Sequence, residues 1–182
     1  MHKFLILFLV VMTNYAHATQ QIKETFIIDG ESFGLDMGPG DVSPLNSLYT
    51  FEEIHLMLES EGWCSANWRG YKGTWEVKNS QLFLNALVKG ACSENPPLVD
   101  PVLFFGEKSY PLKAKWFSGN IKLRLSPDTY KYCKTDGNTK KMIGYEYEAM
   151  VYEFSNGDFV YKSKQLIKET WEHALTSCLT KR

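Results

Sequence analysis

The fold is decided by one stretch of sequence, Trp68-Arg-Gly-Tyr-Lys-Gly-Thr-Trp75-Glu-Val-Lys-Asn79-Ser80-Gln-Leu-Phe-Leu-Asn-Ala-Leu-Val88. From Tyr71 onward, aromatic, apolar and small residues alternate with polar ones, which is typical of a strand with one buried face. Asn79-Ser80 predicts a two-residue turn. The resulting hairpin would contain three cross-strand pairs that fill one face: Val77 with Leu82, Trp75 with Leu84, and Tyr71 with Val88.

Two further hairpins are predicted from their turn dipeptides. Asp29-Gly30 joins two short strands between Thr25 and Leu35 and would pair Phe26 with Phe33. Asn156-Gly157 joins Tyr145–Phe154 to Asp158–Lys164, and this dipeptide prefers the type I′ turn. It would pair Phe154 with Phe159 and Tyr152 with Tyr161.

A fourth hairpin is expected from Leu112 to Leu125, with its turn near Ser118-Gly119-Asn120. Glycine, proline and polar residues predict irregular connections elsewhere, at Asp36–Asn46, Gly90–Pro101 and Ser126–Lys141.

Two helices complete the predicted elements. Thr50-x-x-Glu53 has the pattern of a capping box and predicts a helix of about ten residues ending before Gly62. From Gln165 to Leu179 the apolar residues change to a helical period. The predicted fold class is therefore mainly β (α+β). Antiparallel hairpins would form a sheet, a sandwich or a partly open barrel, with one short internal helix and a C-terminal helix.

The first 18 residues have the pattern of a secretory signal peptide. A basic start is followed by an apolar run from Phe4 to Met12 and by the small-x-small cleavage pattern Ala16-His17-Ala18. The run is far shorter than the roughly 20 residues needed to cross a bilayer. We expect residues 19–182 to be a single exported domain without a membrane span, in the periplasm or, alternatively, outside the cell.

Four cysteines remain in that domain, and an even count in an exported protein favours disulfides. Three pairings are possible. Cys64 and Cys92 bracket the central hairpin almost symmetrically, which favours a Cys64–Cys92 bridge and leaves Cys133 with Cys178. Because the spacings typical of zinc sites are missing, we expect no metal and no cofactor.

The charge and the histidine content narrow the function. Removing the leader takes away Lys3 and leaves 19 basic against 21 acidic side chains, a formal charge of −2, which disfavours a nucleic-acid partner. Residues 19–182 have only His55 and His173 and no G-x-S-x-G elbow. A hydrolase would have to use paired carboxylates, for which Glu146 and Glu148 on one strand are the candidates.

Several motifs resemble those of a scattered family of small bacterial proteins of unknown function. They are Trp68-Arg-Gly-Tyr-Lys-Gly-Thr-Trp75-Glu-Val, Gln81-Leu-Phe-Leu, Ala114-Lys-Trp-Phe-Ser-Gly119 and Gly144-Tyr-Glu-Tyr-Glu148, and the match extends from Ile27 to Val160. The leader, the four cysteines and the helical tail depart from the family pattern. The resemblance implies a shared β fold, no established catalysis and an immunity- or inhibitor-like role.

Gly73-Thr74-Trp75 also resembles the G-x-W signature of lipocalins, although it lies more than fifty residues into the chain. In lipocalins this motif opens the first strand, and the strands predicted after it are too few to close an eight-stranded barrel. A small apolar ligand could still bind between the sheet and a helix.

The sequence therefore favours a non-enzymatic exported binding domain that recognises a protein or an envelope component, with its oligomeric state open. A small-ligand carrier and a carboxylate-dependent hydrolase are the alternatives. Tyrosine and arginine are common interface anchors. The predicted binding residues are Arg69, Tyr71, Lys72, Tyr145, Glu146, Tyr147 and Glu148. For Arg69 the competing interpretation is a salt bridge within the fold.

Overall fold

The computed structural model describes residues 19–35, 43–59, 63–107, 109–134 and 139–179. The signal peptide predicted at residues 1–18 lies outside the described residues. So do the Gly38-Pro39-Gly40 part of one predicted loop and the Asp136-Gly137-Asn138 part of another.

Nine strands join in one sheet. They are β1 (Glu24–Ile28), β2 (Glu31–Leu35), β3 (Tyr71–Lys78), β4 (Gln81–Lys89), β5 (Leu112–Lys113), β6 (Gly119–Arg124), β7 (Thr129–Lys134), β8 (Lys140–Ser155) and β9 (Asp158–Thr170). The order is β2-β1-β3-β4-β9-β8-β6, while β5 pairs with β4 and β7 pairs with β8. All pairs are antiparallel except β1 with β3.

The sheet curls around one apolar core. Phe26 of β1 packs edge-to-face against Tyr152 of β8, with ring centroids 5.5 Å apart, although three strands lie between β1 and β8 in the sheet. Trp75 and Leu84 are fully buried in the same core. The predicted fold class is confirmed: strands dominate, most pairs are antiparallel, and the helices are few and short.

The three dipeptide turns form as predicted. Both central residues have positive φ at Asp29-Gly30, at Asn79-Ser80 and at Asn156-Gly157, as a type I′ turn requires. Glycine is needed at Gly157 for a second reason. A Cβ there would lie 2.6 Å from the carbonyl oxygen of Ala114.

The cross-strand pairs are partly confirmed. Val77–Leu82, Trp75–Leu84, Phe26–Phe33 and Phe154–Phe159 are present as predicted. The other two pairs were wrong because a β-bulge shifts each hairpin by one residue. Tyr71 lies opposite Lys89 instead of Val88, and Tyr152 lies opposite Lys162 instead of Tyr161.

The predicted hairpin from Leu112 to Leu125 was wrong. β5 pairs with β4, whereas β6 pairs with β8. Between them the chain turns at Ala114, whose amide donates to the Leu82 carbonyl (2.9 Å) and whose carbonyl accepts from Phe117 (2.9 Å). The long-range bond to Leu82 and the local turn closed by Phe117 separate the two segments.

The predicted helical tail was half right. β9 continues to Thr170 because it pairs with β8 along its whole length, so Leu166 and Ile167 belong to a strand. Only the end of the tail is helical, as α3 (Glu172–Leu179). The internal helix α1 (Phe51–Met57) is confirmed and starts with the predicted capping box, in which Thr50 and Glu53 cap each other.

Three short elements lie in, or begin at the end of, segments predicted to be irregular. A short helix α2 (Pro101–Phe105) follows an Asp100 N-cap and ends at Gly106, which has φ 67°; this Asp-Pro start and glycine stop were readable in the sequence. Strand β7 occupies part of the predicted loop Ser126–Lys141 and adds to β8. Pro44–Ser47, at the end of another predicted loop, forms a 3₁₀ turn.

Both predicted disulfides are present. Cys64–Cys92 and Cys133–Cys178 have Cα–Cα distances of 6.6 Å and 6.3 Å, within the range that disulfides adopt. The second bridge ties α3 to β7. These two elements, with the paired parts of β8 and β9 (Gly144–Ala149 and Gln165–Thr170), form what we call the arm. The arm contains Tyr147 and Ala149, two members of a small apolar cluster that is separate from the main core. The third member, Val151, lies two residues further along β8.

Candidate functional site

The predicted binding residues fall into two separate groups. Arg69, Tyr71 and Lys72 lie at the start of β3, and residues 145–148 lie on β8. Two strands, β4 and β9, separate β3 from β8 in the sheet order. The fold therefore does not gather the predicted residues on one continuous stretch of neighbouring strands.

Arg69 is part of a buried polar cluster. Its Nη1 lies 3.6 Å from Oε1 of Glu24, whose side chain is fully buried, and its Nη2 donates to the Ile22 carbonyl at 2.9 Å. The other carboxylate oxygen of Glu24 accepts a hydrogen bond from the Trp75 indole. The sequence left open whether Arg69 binds a partner or makes a salt bridge within the fold. The structure shows the salt bridge, and its carboxylate partner is Glu24.

Tyr71 is also an internal residue. Its side chain is buried, and its hydroxyl donates to Oδ1 of Asn46 at 3.3 Å. Burial, with the neighbouring Glu24 carboxylate, raises the pKa of the Tyr71 phenol well above its usual value. Lys72 is half-buried on β3. Of this group, the buried arginine and tyrosine stabilise the scaffold and are not available as surface anchors.

The β8 group lies on the arm. Glu146 accepts from Lys131 Nζ (2.6 Å) and Glu148 from Lys164 Nζ (2.9 Å). Both carboxylates are therefore paired with lysines, whereas a two-carboxylate mechanism needs one protonated acid and one unpaired base.

The two tyrosines of this group pack against other side chains. Tyr147 is buried beneath the Arg124 guanidinium, 3.6 Å from the ring centroid. Tyr145 contacts Trp171 and Tyr130 edge-to-face. Tyr130 itself is half exposed, so it offers more contact surface to a partner than the tyrosines that the sequence singled out.

No cluster that could hold a metal ion occurs among the described residues. His55, on α1, lies against Trp63 with ring centroids 3.6 Å apart and ring planes tilted by 36°, and His173 is an exposed residue of α3. The two histidines thus lie on different helices.

Exposed aromatic side chains line a shallow cleft of about 400 Å³ beside the first disulfide, which we call the aromatic cleft. It is lined by Phe51, Trp63, Cys64, Ser65 and Trp68. The three aromatic side chains are 43 %, 41 % and 66 % exposed. Almost all of the lining is apolar.

A disulfide and several hydrogen bonds fix the turn that carries Trp68. The Cys64–Cys92 bridge fixes one end of the turn. Gln21 binds across the turn, because its Nε2 donates to the Ser65 carbonyl (2.9 Å) and its Oε1 accepts from the Trp68 amide (3.1 Å). The Ile22 amide adds a hydrogen bond to the Ala66 carbonyl (2.7 Å). Contacts within the chain therefore preform the cleft.

A second cleft, of about 630 Å³, lies between α2 and the turn after β5, and we call it the Trp116 cleft. Phe105 and Trp116 stack in its wall with ring centroids 5.0 Å apart. The Trp116 indole donates to the Pro44 carbonyl at 3.1 Å. The charged residues of the lining are Glu107, Lys113 and Lys115, and Lys113 is paired with Asp158 at 2.7 Å.

Comparison with known proteins identifies no relative: no family model, curated protein or solved structure matches the chain. Among the helices of the described residues, none has the length and apolar character needed to cross a membrane.

Proposed function

We propose that this protein is a non-enzymatic binding domain, exported to an oxidising compartment such as the periplasm, which recognises a protein partner through the aromatic cleft. The observation that carries the proposal is the exposure of Phe51, Trp63 and Trp68 in one prebuilt cleft. The two disulfides are compatible with an oxidising compartment.

Large aromatic side chains usually lose most of their exposure on folding, and contiguous apolar surface on a folded protein is typical of an interaction site. Tryptophan is also the residue type most enriched among the anchors of protein interfaces. Because Gln21 and the Cys64–Cys92 bridge already fix the cleft, a partner would lose little free energy in ordering it. Such rigidity suits an immunity- or inhibitor-like role.

The chemistry of the lining favours a protein over a polysaccharide. Sugars bind by stacking on aromatic rings, but their hydroxyls also need polar partners beside those rings. Among the described residues that line the aromatic cleft, Ser65 is the only one with a polar side chain apart from the indole N–H groups. An apolar side chain of a partner protein fits this surface better.

The test compares envelope extract captured on the wild-type protein and on the Trp63→Ser/Trp68→Ser variant, with quantitative mass spectrometry of the bound proteins. We expect a specific partner that the double variant loses. Leu103→Ser is the matched control, because Leu103 is 61 % exposed on α2 and lies outside the cleft. Equal recovery by all three proteins would refute the proposal.

A second candidate function, a small-ligand carrier, is favoured by the Trp116 cleft. The space inside the curled sheet is filled by core side chains such as Trp75 and Phe154, so a ligand would bind at the surface and not in a lipocalin-type interior. Lys113 is paired with Asp158 at 2.7 Å, and Lys115 and Glu107 give the lining one charge of each sign. The stacked aromatic rings therefore suit a flat, apolar ligand. Native mass spectrometry that finds a retained small molecule, lost in Trp116→Ser, would support this function.

A further inference from the structure

Within the described residues, only one of the two edges of β9 is paired along its whole length. β8 pairs with it from Asp158 to Thr170. On the other edge β4 meets only its beginning, where Gln81 pairs with Asp158 and the Phe159 amide donates to the Ser80 carbonyl at 2.9 Å. From Val160 to Thr170, no strand in the described part of the chain pairs with this second edge, which we call the free edge.

The reason lies in how β4 is used. Its next residues, Phe83 and Leu84, pair with β5, and the Ala114 amide donates to the Leu82 carbonyl at 2.9 Å. The side of β4 that could have continued along β9 is therefore occupied. β9 instead runs on with β8 into the arm, and at about 3.3 Å per residue its free edge is roughly 35 Å long.

The charges beside the free edge are mainly positive. Lys162, Lys164 and Lys168 lie on one face of β9, because side chains two residues apart share a face. Glu148 pairs with Lys164, while Glu146, the register partner of Lys168, is held by Lys131 of β7. Four positive and two negative side chains thus meet on this face of the sheet.

The free edge also exposes apolar surface. Val160, Tyr161 and Leu166 are each about half exposed. An added strand would cover these side chains as well as the backbone groups of β9.

We propose that the free edge of β9 accepts an extended acidic segment of a partner protein as an additional strand. The backbone of Val160–Thr170 would supply the hydrogen bonds, and Lys162, Lys164 and Lys168 would select acidic residues at alternate positions of the incoming segment. This site shares no residue with the aromatic cleft, so the inference does not depend on the function proposed above.

Charge argues against a second copy of this chain as the occupant. If two β9 edges paired antiparallel about Gln165, Lys162 of one copy would face Lys168 of the other. Like charges directly opposite each other destabilise a strand pair, and lysines on an edge are a common means of preventing self-association. An acidic segment turns the same lysines into attractive contacts.

The probe is a fluorescent peptide of about ten residues that alternates glutamate and valine, long enough to cover most of the free edge. Fluorescence anisotropy measures its binding to the full exported chain. We expect saturable binding that weakens with salt. We expect a loss of about tenfold in Lys164→Glu/Lys168→Glu, where attractive cross-strand pairs become repulsive. Lys78→Glu/Lys115→Glu, with the same net charge, is the control and should bind normally.

Two further measurements separate strand addition from charge attraction alone. A peptide N-methylated at alternate residues keeps its charges but loses backbone donors, and we expect it to bind at least about tenfold more weakly. Hydrogen exchange should show new protection confined to amides of β9. Circular dichroism confirms that each variant is folded.

Equal binding of the methylated peptide would overturn strand addition, and equal losses in both lysine variants would overturn the location on β9. Sedimentation velocity that finds a dimer blocked by the peptide would overturn the choice of an acidic partner and assign the edge to a second copy. Trp63→Ser/Trp68→Ser should bind the peptide normally, so failure of this inference and failure of the aromatic-cleft proposal are distinguishable.

Discussion

Replacing Arg69 by methionine tests whether the buried ion pair with Glu24 stabilises the fold. The two charged groups lie 3.6 Å apart, and at an effective dielectric constant of about 20 their attraction is roughly 4–5 kcal/mol. The Arg69 side chain is 17 % exposed, so water weakens the attraction somewhat. Removing one partner of a buried pair typically costs about 3–5 kcal/mol, and we expect a loss of about 3–4 kcal/mol.

Urea unfolding, analysed by linear extrapolation, measures this loss. Lys72→Met is the matched control, since Lys72 is a half-buried cation on the neighbouring β3, and it should change the free energy of unfolding by about 0.5 kcal/mol or less. Combining Arg69→Met with Glu24→Gln should recover at least about 1.5 kcal/mol relative to the sum of the two single losses. Additive losses, or a loss below about 1 kcal/mol for Arg69→Met, would refute the reasoning.

Three further changes follow from the core, the arm and the buried phenols. Gly73→Ala should cost about 1–3 kcal/mol by overpacking, because its Cβ would lie 2.7 Å from both the Glu24 carboxylate and the Trp75 indole. Gly34→Ala, whose Cβ would lie nearest to the flexible Lys23 side chain, should cost far less in the same urea titration. Replacing Cys133 and Cys178 by serine removes a bridge between residues 45 positions apart and should lower the free energy of unfolding by up to about 4 kcal/mol. Hydrogen exchange should become faster in α3 and stay unchanged in β3 and β4. A uniform change in exchange would contradict an arm that packs separately from the main core. Burial raises the pKa of Tyr110 from 10.0 to about 12, so the phenol loses its proton in the unfolded chain at a lower pH than in the folded one. The stability that this group contributes is present below pH 10 and should fall as the pH rises towards 12. Tyr110→Phe should make the decline of stability with pH less steep, and an unchanged decline would refute a raised pKa at Tyr110.

The turns were predictable because their backbone conformation depends on two adjacent residues. Asn156-Gly157 and Asp29-Gly30 favour positive φ whatever surrounds them, and both form. The strand registers were predictable only as far as the first bulge. The extra residues in the β3–β4 and β8–β9 hairpins depend on how the sheet curls, which is a long-range property.

The C-terminal tail shows that a helical pattern in the sequence can also be overridden by strand pairing. Leu166 and Ile167 fit a helical period, but pairing with β8 outweighs that local preference. Similarly, β7 was hidden in a polar segment, because its tyrosines Tyr130 and Tyr132 are exposed and make no apolar face.

The candidate site was the least predictable part. The stretch that predicts the central hairpin begins at Trp68, yet Trp68 precedes β3 and is 66 % exposed. Conversely, Arg69 and Tyr71 have residue types common at interfaces but are internal. Glu24, which is distant in sequence but lies on the neighbouring strand β1, interacts with both. Exposure depends on which strands become neighbours, and the parallel pairing of β1 with β3 has no short sequence signal. The resemblance to the small bacterial family stays a prediction.

The grip of Gln21 on the Ser65–Trp68 turn makes the start of the described chain a reporter position. A fluorophore coupled at Thr19 would be only two residues from that grip, so occupation of the neighbouring tryptophan surface should change its emission. The same proximity means that an affinity tag fused ahead of Thr19 would crowd the surface it is meant to help study. Labels for immobilisation are therefore better attached at an exposed residue of α2.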